Sequence, residues 1–167
     1  MKLIRYSGNP ILKPRGDDWE SVAVFNPSAV YYDGKIHLHY RAVGEYYPYT
    51  SRLGYAVFDK DLNLVKRYQN PVMEPDWKRW ERSIEDPRVT MIDDVFYLTY
   101  VTTPTPSPPG AVRRRLGIPK PEQSASPRTA LAEVKDFTDF ERYDIITPVG
   151  ADERDVVFFP EKIGGRY

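Results

Sequence analysis

The hexapeptide NPILKP at residues 9–14 returns as NPVMEP at residues 70–75, which is an offset of 61 residues. The pair Trp19-Glu20 returns as Trp80-Glu81 at the same offset. Common turn residues can match by chance once, but several matches at one offset indicate an internal structural repeat. The repeat is therefore the feature from which the fold is predicted.

The repeat continues beyond these motifs. Phe25-Asn26-Pro27 aligns with Glu85-Asp86-Pro87 at an offset of 60, and each is followed by a predicted hairpin whose second strand contains Tyr40 or Tyr100. Later matches lie 75 residues apart, because the second unit contains a Pro-rich insertion, predicted as a loop, over residues 104–127. We therefore divide the chain into units of about residues 9–69 and 70–146, with the start of a third unit at 147–167.

Alternating apolar and polar residues predict short strands throughout the chain. Asp33-Gly34 between two of these segments is a strong signal for a two-residue hairpin. The predicted strands, rich in β-branched and aromatic residues, are Ser28–Tyr32, Ile36–Ala42, Leu53–Phe58, Val89–Ile92, Val95–Thr102, Thr129–Val134 and Val156–Phe159. Units of about four strands that repeat in an all-β chain are typical of a β-propeller, and this chain would supply about two and a half blades.

Composition excludes several functional classes. The 167 residues contain 24 Lys and Arg, 24 Asp and Glu, and no Cys. A net charge of zero argues against a nucleic-acid partner, and the absence of Cys excludes disulfides and thiolate chemistry. The sequence has no apolar run long enough for a membrane span and its first residues lack a signal-peptide core, so we expect no membrane association and a cytoplasmic location.

The strongest candidate for a catalytic residue is Asp86 in the segment IEDPR, residues 84–88. Equivalent positions of successive propeller blades face one axial funnel, so Asp86 and Asn26 would converge on a common pocket. Asp86 could then act as a general acid while Asn26 and Arg41 hold substrate hydroxyls. The alternative is that Asn-Pro and Asp-Pro merely start turns and cap the local backbone.

Two further groups of residues are candidates for binding an ion. Arg154, next to Asp155, could bind a phosphate or could pair with neighbouring acidic residues. His37 and His39 share a strand face, but without a third ligand they are better explained by packing or surface exposure than by a metal. The sequence therefore predicts no metal and no cofactor.

Taken together, these motifs resemble those of glycoside hydrolase family 130, the β-mannoside phosphorylases and related β-mannosidases. The motifs that carry the resemblance are Asn9–Pro14, Trp19-Glu20, Val24–Pro27, Tyr40–Ala42, Ser51–Ala56, Glu85–Arg88, Lys135–Phe137 and Phe159–Ile163. They occur in the family's order over essentially the whole chain.

The resemblance implies a five-bladed β-propeller of about twice this length and an inverting phosphorolysis of β-mannosides. Inorganic phosphate would be the co-substrate and nucleophile, so a single carboxylic acid suffices. The family pattern makes Asp86 that acid and assigns substrate binding to Asn26 and Arg41. It places Arg154 at the phosphate, with Asp155 where the phosphorylases often have Asn. Arg88, in the same motif as Asp86, is taken as a further substrate-binding residue.

Alternatives remain within this fold. A β-mannosidase would use water in place of phosphate, and a non-catalytic module would bind sugar without turnover. The later phosphate ligands of the family pattern have no counterpart within these 167 residues, so we expect the isolated chain to be incomplete as an enzyme. Its expected partners are a β-mannoside oligosaccharide and either identical chains in a homo-oligomer or a missing C-terminal half.

Overall fold

The computed structural model describes residues 4–79, 81–104, 115, 126–148 and 151–167. The predicted insertion loop, residues 104–127, lies almost entirely outside the described residues, as does Trp80. Eight strands form two four-stranded sheets. The first contains β1 Ala23–Tyr32, β2 Lys35–Tyr46, β3 Tyr49–Phe58 and β4 Leu64–Arg67, and the second contains β5 Glu81–Ile92, β6 Val95–Pro104, β7 Arg128–Val134 and β8 Phe140–Ile145.

Both sheets have the same topology. Each strand pairs antiparallel with the next along the chain, in the orders β1-β2-β3-β4 and β5-β6-β7-β8. The sheets adjoin through β5, which contacts β1, β2 and β3 of the first sheet. A four-stranded meander packed against its copy is how neighbouring propeller blades are built. The predicted all-β class is confirmed, and the two sheets are consistent with two blades of a five-bladed propeller.

The first turn of each sheet follows the sequence prediction. Asp33 and Gly34 have φ values of 47° and 72° between β1 and β2, and Asp93 and Asp94 have 49° and 63° between β5 and β6. Two consecutive positive φ angles define a type I′ turn, which Asp-Gly favours because glycine has no Cβ to clash. The Asp-Asp turn adopts the same backbone although Asp94 carries a side chain.

The strand assignments differ from the prediction in their bounds and in their number. β1 begins at Ala23, five residues before the predicted start, and β5 begins at Glu81, eight residues before its predicted start. β2 continues to Tyr46 and β3 begins at Tyr49, each four residues beyond the predicted bound. The short outer strands β4 and β8 were missed because they lack clear alternation. The predicted strand Val156–Phe159 is wrong, since these residues belong to no strand. They contact the second sheet through threonine hydroxyls: Thr99 donates to the Val156 carbonyl, and Thr90 donates to the Phe158 carbonyl at 3.4 Å. A strand requires backbone pairing on at least one edge, and these bonds do not provide it.

Two apolar clusters form the core. One lies in the first sheet and contains Trp19, Leu38, Tyr40, Ala42, Ala56 and Phe58. The other joins the sheets and contains Leu53, Met73, Ile84, Leu98, Tyr100, Ala130, Ala132 and Val134. The NPVMEP segment contributes to the second cluster, because Met73 bridges to Leu53 of β3 through a backbone hydrogen bond of 3.0 Å. The repeated hexapeptide thus helps to join one sheet to the next.

A buried Glu–Tyr–Arg triad recurs in both sheets. In the first, Glu20 accepts hydrogen bonds from the Tyr40 hydroxyl at 2.8 Å and from Arg67 at 2.7 Å. In the second sheet the equivalent residues are Glu81, Tyr100 and Arg142, with the arginine at 2.8 Å and the hydroxyl at 3.2 Å. Burial raises the pKa of Tyr40 to about 12 and also raises the pKa of Glu81. The Glu, Tyr and Arg residues that repeat in the sequence therefore hydrogen-bond to one another within each sheet and stabilise it.

His39 lies in the interface between the sheets. It is fully buried, and its Nε2 donates a hydrogen bond to the Phe137 carbonyl at 2.7 Å. Its ring stacks on Tyr55 at 4.9 Å, while His37 beside it stacks on Phe137 at 3.9 Å. Phe137 belongs to the turn between β7 and β8, so both histidines pack between the two sheets.

Acidification is expected to weaken this interface through His39. Burial lowers the pKa of His39 from 6.5 to about 4, so between these values the unfolded chain binds more protons than the folded chain. The free energy of unfolding should therefore fall as the pH drops from about 6.5 to about 4, by about 3 kcal/mol in total from this group. Urea unfolding at a series of pH values measures this dependence.

The variant His39→Gln provides the comparison, because its amide can still donate to the Phe137 carbonyl but does not titrate. It should remove most of the slope of stability with pH in this window. His37→Gln is the matched control on the same strand face. Burial also lowers the pKa of His37, but this side chain is only half-buried, whereas His39 is fully buried. Equal slopes for the unmodified protein and His39→Gln would contradict the expectation.

Candidate active site

Asn26 and Asp86 occupy the same place in the two sheets. The register of β1 with β2 shifts between Phe25 and Ser28, and the register of β5 with β6 shifts between Glu85 and Arg88. Within these bulges Asn26 has a φ of 45° and Asp86 a φ of 50°. Asn and Asp tolerate left-handed backbone better than most residues, and the proline that follows each needs no partner for an N–H group.

The bulges bring the two side chains into direct contact. Asn26 Nδ2 donates a hydrogen bond to Asp86 Oδ1 at 2.9 Å across 60 residues of sequence. A second bond fixes the same strands, because the Val89 backbone N–H donates to the Ser28 hydroxyl at 2.8 Å. The predicted convergence of Asn26 and Asp86 is therefore present in the structure, and these residues do not cap separate turns.

Arg41 completes the cluster from the neighbouring strand. It lies opposite Phe25 in the β1–β2 register, and one guanidinium nitrogen lies 3.1 Å from Asp86 Oδ1. The other terminal nitrogen lies 2.8 Å from Glu85 Oε1 and donates to the Tyr49 hydroxyl at 2.7 Å. The guanidinium also lies over the Phe25 ring, 4.9 Å from its centroid. Arg41 is thus held rigidly, with its charge shared between two consecutive carboxylates.

One carboxylate oxygen of Asp86 remains available to a bound molecule. Both donors, Asn26 and Arg41, use Oδ1, and Oδ2 receives no hydrogen bond from the residues that the structure describes. The Asp86 side chain is 14% exposed, so a ligand can reach it while most bulk water is kept away. A carboxyl anchored through one oxygen and open at the other can transfer a proton to a bound molecule.

Glu85 is a buried member of the cluster to which sequence reasoning gave no role. Besides Arg41, it contacts the Ser51 hydroxyl at 3.5 Å, and Ser51 bonds Ser83 at 2.6 Å. Burial raises the pKa of Glu85, the Arg41 charge opposes that rise, and the negative charge of Asp86 adds to it. The sequence does contain a pattern that could have identified Glu85. Polar residues occur at every second position at the start of β5, at Glu81, Ser83 and Glu85, and this spacing places them on one face of the strand.

Tyr49 was also missed. It begins β3, where its hydroxyl contacts Arg41, and its ring centroid lies 5.6 Å from the Arg41 guanidinium carbon. The sequence shows it only as one of 13 tyrosines, so no local signal distinguishes it. It links the hairpin between β2 and β3 to the cluster.

The remaining predicted residues lie in exposed ion pairs. Arg88 contacts Asp155 at 3.2 Å, and Arg154 contacts Asp152 at 2.9 Å. Arg154 donates a hydrogen bond to Asp152, which raises the pKa of Arg154, and the Arg154 charge opposes the rise that burial causes in the pKa of Glu85. Asp155 has a φ of 57°, the same left-handed backbone as Asn26 and Asp86. These arginines are thus paired with acidic side chains and do not contact the carboxyl of Asp86.

The described residues lack the features of two other kinds of site. Within the described ranges no helix has the length and apolar character needed to cross a membrane. No group of three or more His, Cys, Asp or Glu side chains suited to a metal ion occurs in that part of the chain either.

Comparisons with known proteins agree with the motifs. The model of glycoside hydrolase family 130, described as beta-1,4-mannooligosaccharide phosphorylase, matches residues 4–117. A 1,2-beta-oligomannan phosphorylase from a Thermoanaerobacter strain is 35% identical over all of this chain and 52% of its own length. The chain therefore spans about half the length of this curated relative.

Two solved structures share the fold. A beta-1,2-mannobiose phosphorylase from Listeria innocua, solved with beta-1,2-mannobiose, superposes with a TM-score of 0.68 at 19% identity, over 96% of this chain and 55% of its own. The second solved structure is a member of the GH130 family of mannoside phosphorylases, a family that contains glycoside hydrolases that target beta-1,2 mannosidic linkages in Candida mannan. It has a TM-score of 0.66 at 26% identity, over 89% of this chain and 42% of its own.

Proposed function

Because this chain belongs to glycoside hydrolase family 130, we propose that its cluster of Asn26, Arg41 and Asp86 acts on β-mannosides by inverting phosphorolysis. The observation that carries the proposal is the meeting of these side chains from two sheets, with 2.9 Å and 3.1 Å contacts to one oxygen of Asp86. Phosphate is the co-substrate, and the products are α-mannose 1-phosphate and a sugar shortened by one mannose.

The chemistry follows from the open oxygen of Asp86. The carboxylic acid donates its proton, through a sugar hydroxyl, to the glycosidic oxygen as the bond to the anomeric carbon breaks. A phosphate oxygen attacks that carbon from the opposite face, which inverts its configuration. The proton lost by phosphate on forming the ester restores the acid. Asn26 and Arg41 fix the carboxyl through its other oxygen and hold the sugar beside it.

Phosphate binding is assigned to Arg154, with Asp155 beside it, and Arg88 is assigned to the sugar. Exposed carboxylates hold both arginines, and exposed ion pairs exchange at little cost. Phosphate would displace Asp152 from Arg154, because a dianion attracts a guanidinium more strongly than one carboxylate does. The assignment of Arg154 rests on the family pattern and on its proximity to the cluster, because its charge acts on Glu85.

Hydrolysis is the second candidate function, and Asp155 favours it. A carboxylate next to the phosphate position repels an anionic nucleophile, whereas it could accept a proton from water. The pairing of Asp155 with Arg88 at 3.2 Å reduces this repulsion, so phosphorolysis is the better supported reaction.

Three further expectations stay predictions. They are the division of the chain into units, the cytoplasmic location, and the requirement for identical chains or a second half.

Product analysis tests the reaction. The complete encoded polypeptide that contains residues 1–167 is incubated with β-1,2- or β-1,4-mannobiose, with and without phosphate. We expect α-mannose 1-phosphate only when phosphate is present, with β-1,2-mannobiose preferred because that linkage is named for the relative matched over the whole chain. Release of free mannose without phosphate would replace phosphorolysis by hydrolysis. Binding without either product would indicate a non-catalytic module, and neither binding nor product would refute the proposal.

A further inference from the structure

The hairpin between β2 and β3 presents aromatic rings to solvent. Tyr46 ends β2 and is 59% exposed, and Tyr47 in the turn is 97% exposed. Scattered apolar residues on a surface need no explanation, but neighbouring aromatic rings at the edge of a polar site do. The sequence of this hairpin, YYPY over residues 46–49, contains no charged residue.

The hairpin is attached to the candidate site through Tyr49. The Tyr49 hydroxyl accepts a hydrogen bond of 2.7 Å from Arg41, the residue that also contacts Asp86. Tyr46 faces Tyr49 across the hairpin, with ring centroids 6.3 Å apart and planes inclined by 33°. The exposed Tyr46 ring is therefore one aromatic ring removed from the guanidinium of Arg41.

Position and chemistry together indicate what this surface binds. The C–H face of a pyranose ring packs well on a flat aromatic ring, while the phenol hydroxyl can bond sugar hydroxyls. Acidic or basic ligands would find no charge on the hairpin itself. A sugar ring fits this surface, because it has an apolar face for the aromatic rings and hydroxyls for polar contacts. The surface also lies next to the carboxyl of Asp86, which Asn26 and Arg41 hold.

We propose that Tyr46 and Tyr47 form a platform for the second sugar ring of an oligosaccharide whose first ring lies at Asp86. The inference rests on the proposed function, because it needs a sugar at Asp86. It assigns the contact with the second ring, the leaving sugar of that reaction, to the hairpin. Tyr49 holds the platform at a fixed distance from Arg41.

Affinity measurements separate the platform from the rest of the site. Titration calorimetry with α-mannose 1-phosphate and with β-1,2-mannobiose is performed on the complete encoded polypeptide and on the variants Tyr46→Ala and Tyr47→Ala. We expect each variant to bind the disaccharide about threefold to tenfold more weakly, as expected for one lost aromatic contact. The affinity for α-mannose 1-phosphate, whose ring would lie at Asp86, should stay unchanged, and Tyr46→Phe should restore disaccharide binding because it keeps the ring.

Tyr31→Ala is the matched control. Tyr31 is 66% exposed on β1 and pairs with Ile36, several residues from Arg41 and on the side away from the hairpin. It should bind both sugars normally. All of these tyrosines are exposed, so the substitutions should leave folding intact, which circular dichroism checks.

Each other outcome would overturn the platform. Unchanged disaccharide affinity in both variants would refute it and leave the proposed function standing. Equal losses for α-mannose 1-phosphate and the disaccharide would mean that the hairpin acts only by holding Arg41. Unchanged affinity with an altered sedimentation coefficient would make the hairpin a contact between copies of the chain. If the unmodified protein bound neither sugar, the proposed function would fail, and the platform with it.

Discussion

Replacing Asp86 by Asn should lower the rate of β-mannoside phosphorolysis by about 10²- to 10⁴-fold, the range expected for loss of a general acid. The variant should keep the site intact, because the amide oxygen can accept the hydrogen bonds that Asn26 and Arg41 now donate to Oδ1. It replaces Oδ2, the oxygen that would carry the proton, by a group that cannot serve as an acid. We therefore expect a large fall in kcat with little change in KM.

The measurement is steady-state release of mannose 1-phosphate by the complete encoded polypeptide. Asp61→Asn is the matched control, since Asp61 lies in an exposed turn and pairs only with Lys60 among the described residues. It should retain the unmodified rate. A variant Asp86→Asn with normal kcat would remove Asp86 from the acid role, and a change confined to KM would make it a binding residue only.

The two bulges show where sequence reasoning reached its limit in the fold. The alignment of Asn26 with Asp86 predicted that the two residues are equivalent, and both indeed lie in bulges. Their prolines nevertheless suggested turns outside the strands, so β1 was predicted to begin at Ser28. Proline is compatible with a strand at a bulge, where no ladder bond needs its N–H, and only the pairing with β2 reveals this.

The same limit applies to the site. Asn26, Arg41 and Asp86 could be predicted because their positions repeat or fall within motifs. Glu85 and Tyr49 could not be given roles, because their contacts with Arg41 depend on how the second sheet and the β2–β3 hairpin sit around one guanidinium. Local patterns predict strands and turns, whereas contacts between distant segments follow from packing.

The buried carboxylate of Glu20 should contribute more to stability than any exposed ion pair. Glu20 is 3% exposed and accepts hydrogen bonds from Tyr40 and Arg67, whose side chain is 8% exposed. Arg15 contacts its other oxygen. Removing the carboxylate would leave a buried guanidinium without its charge partner and a buried hydroxyl without its acceptor. Breaking a buried pair in this way costs about 3–5 kcal/mol.

Glu20→Ala is therefore expected to lower the free energy of unfolding by about 3–5 kcal/mol, measured by urea unfolding with tryptophan fluorescence and circular dichroism. Glu20→Gln, which keeps an acceptor and loses the charge, should lose less. Glu81→Ala is the matched variant in the second sheet, where Glu81 binds Tyr100 and Arg142. Since β5 packs on the first sheet and the core cluster around Leu53 spans both, each variant should shift one common transition. A loss below about 1 kcal/mol, the range of exposed pairs, or separate transitions for the two probes, would show that the triad does not stabilise the pair of sheets as a unit.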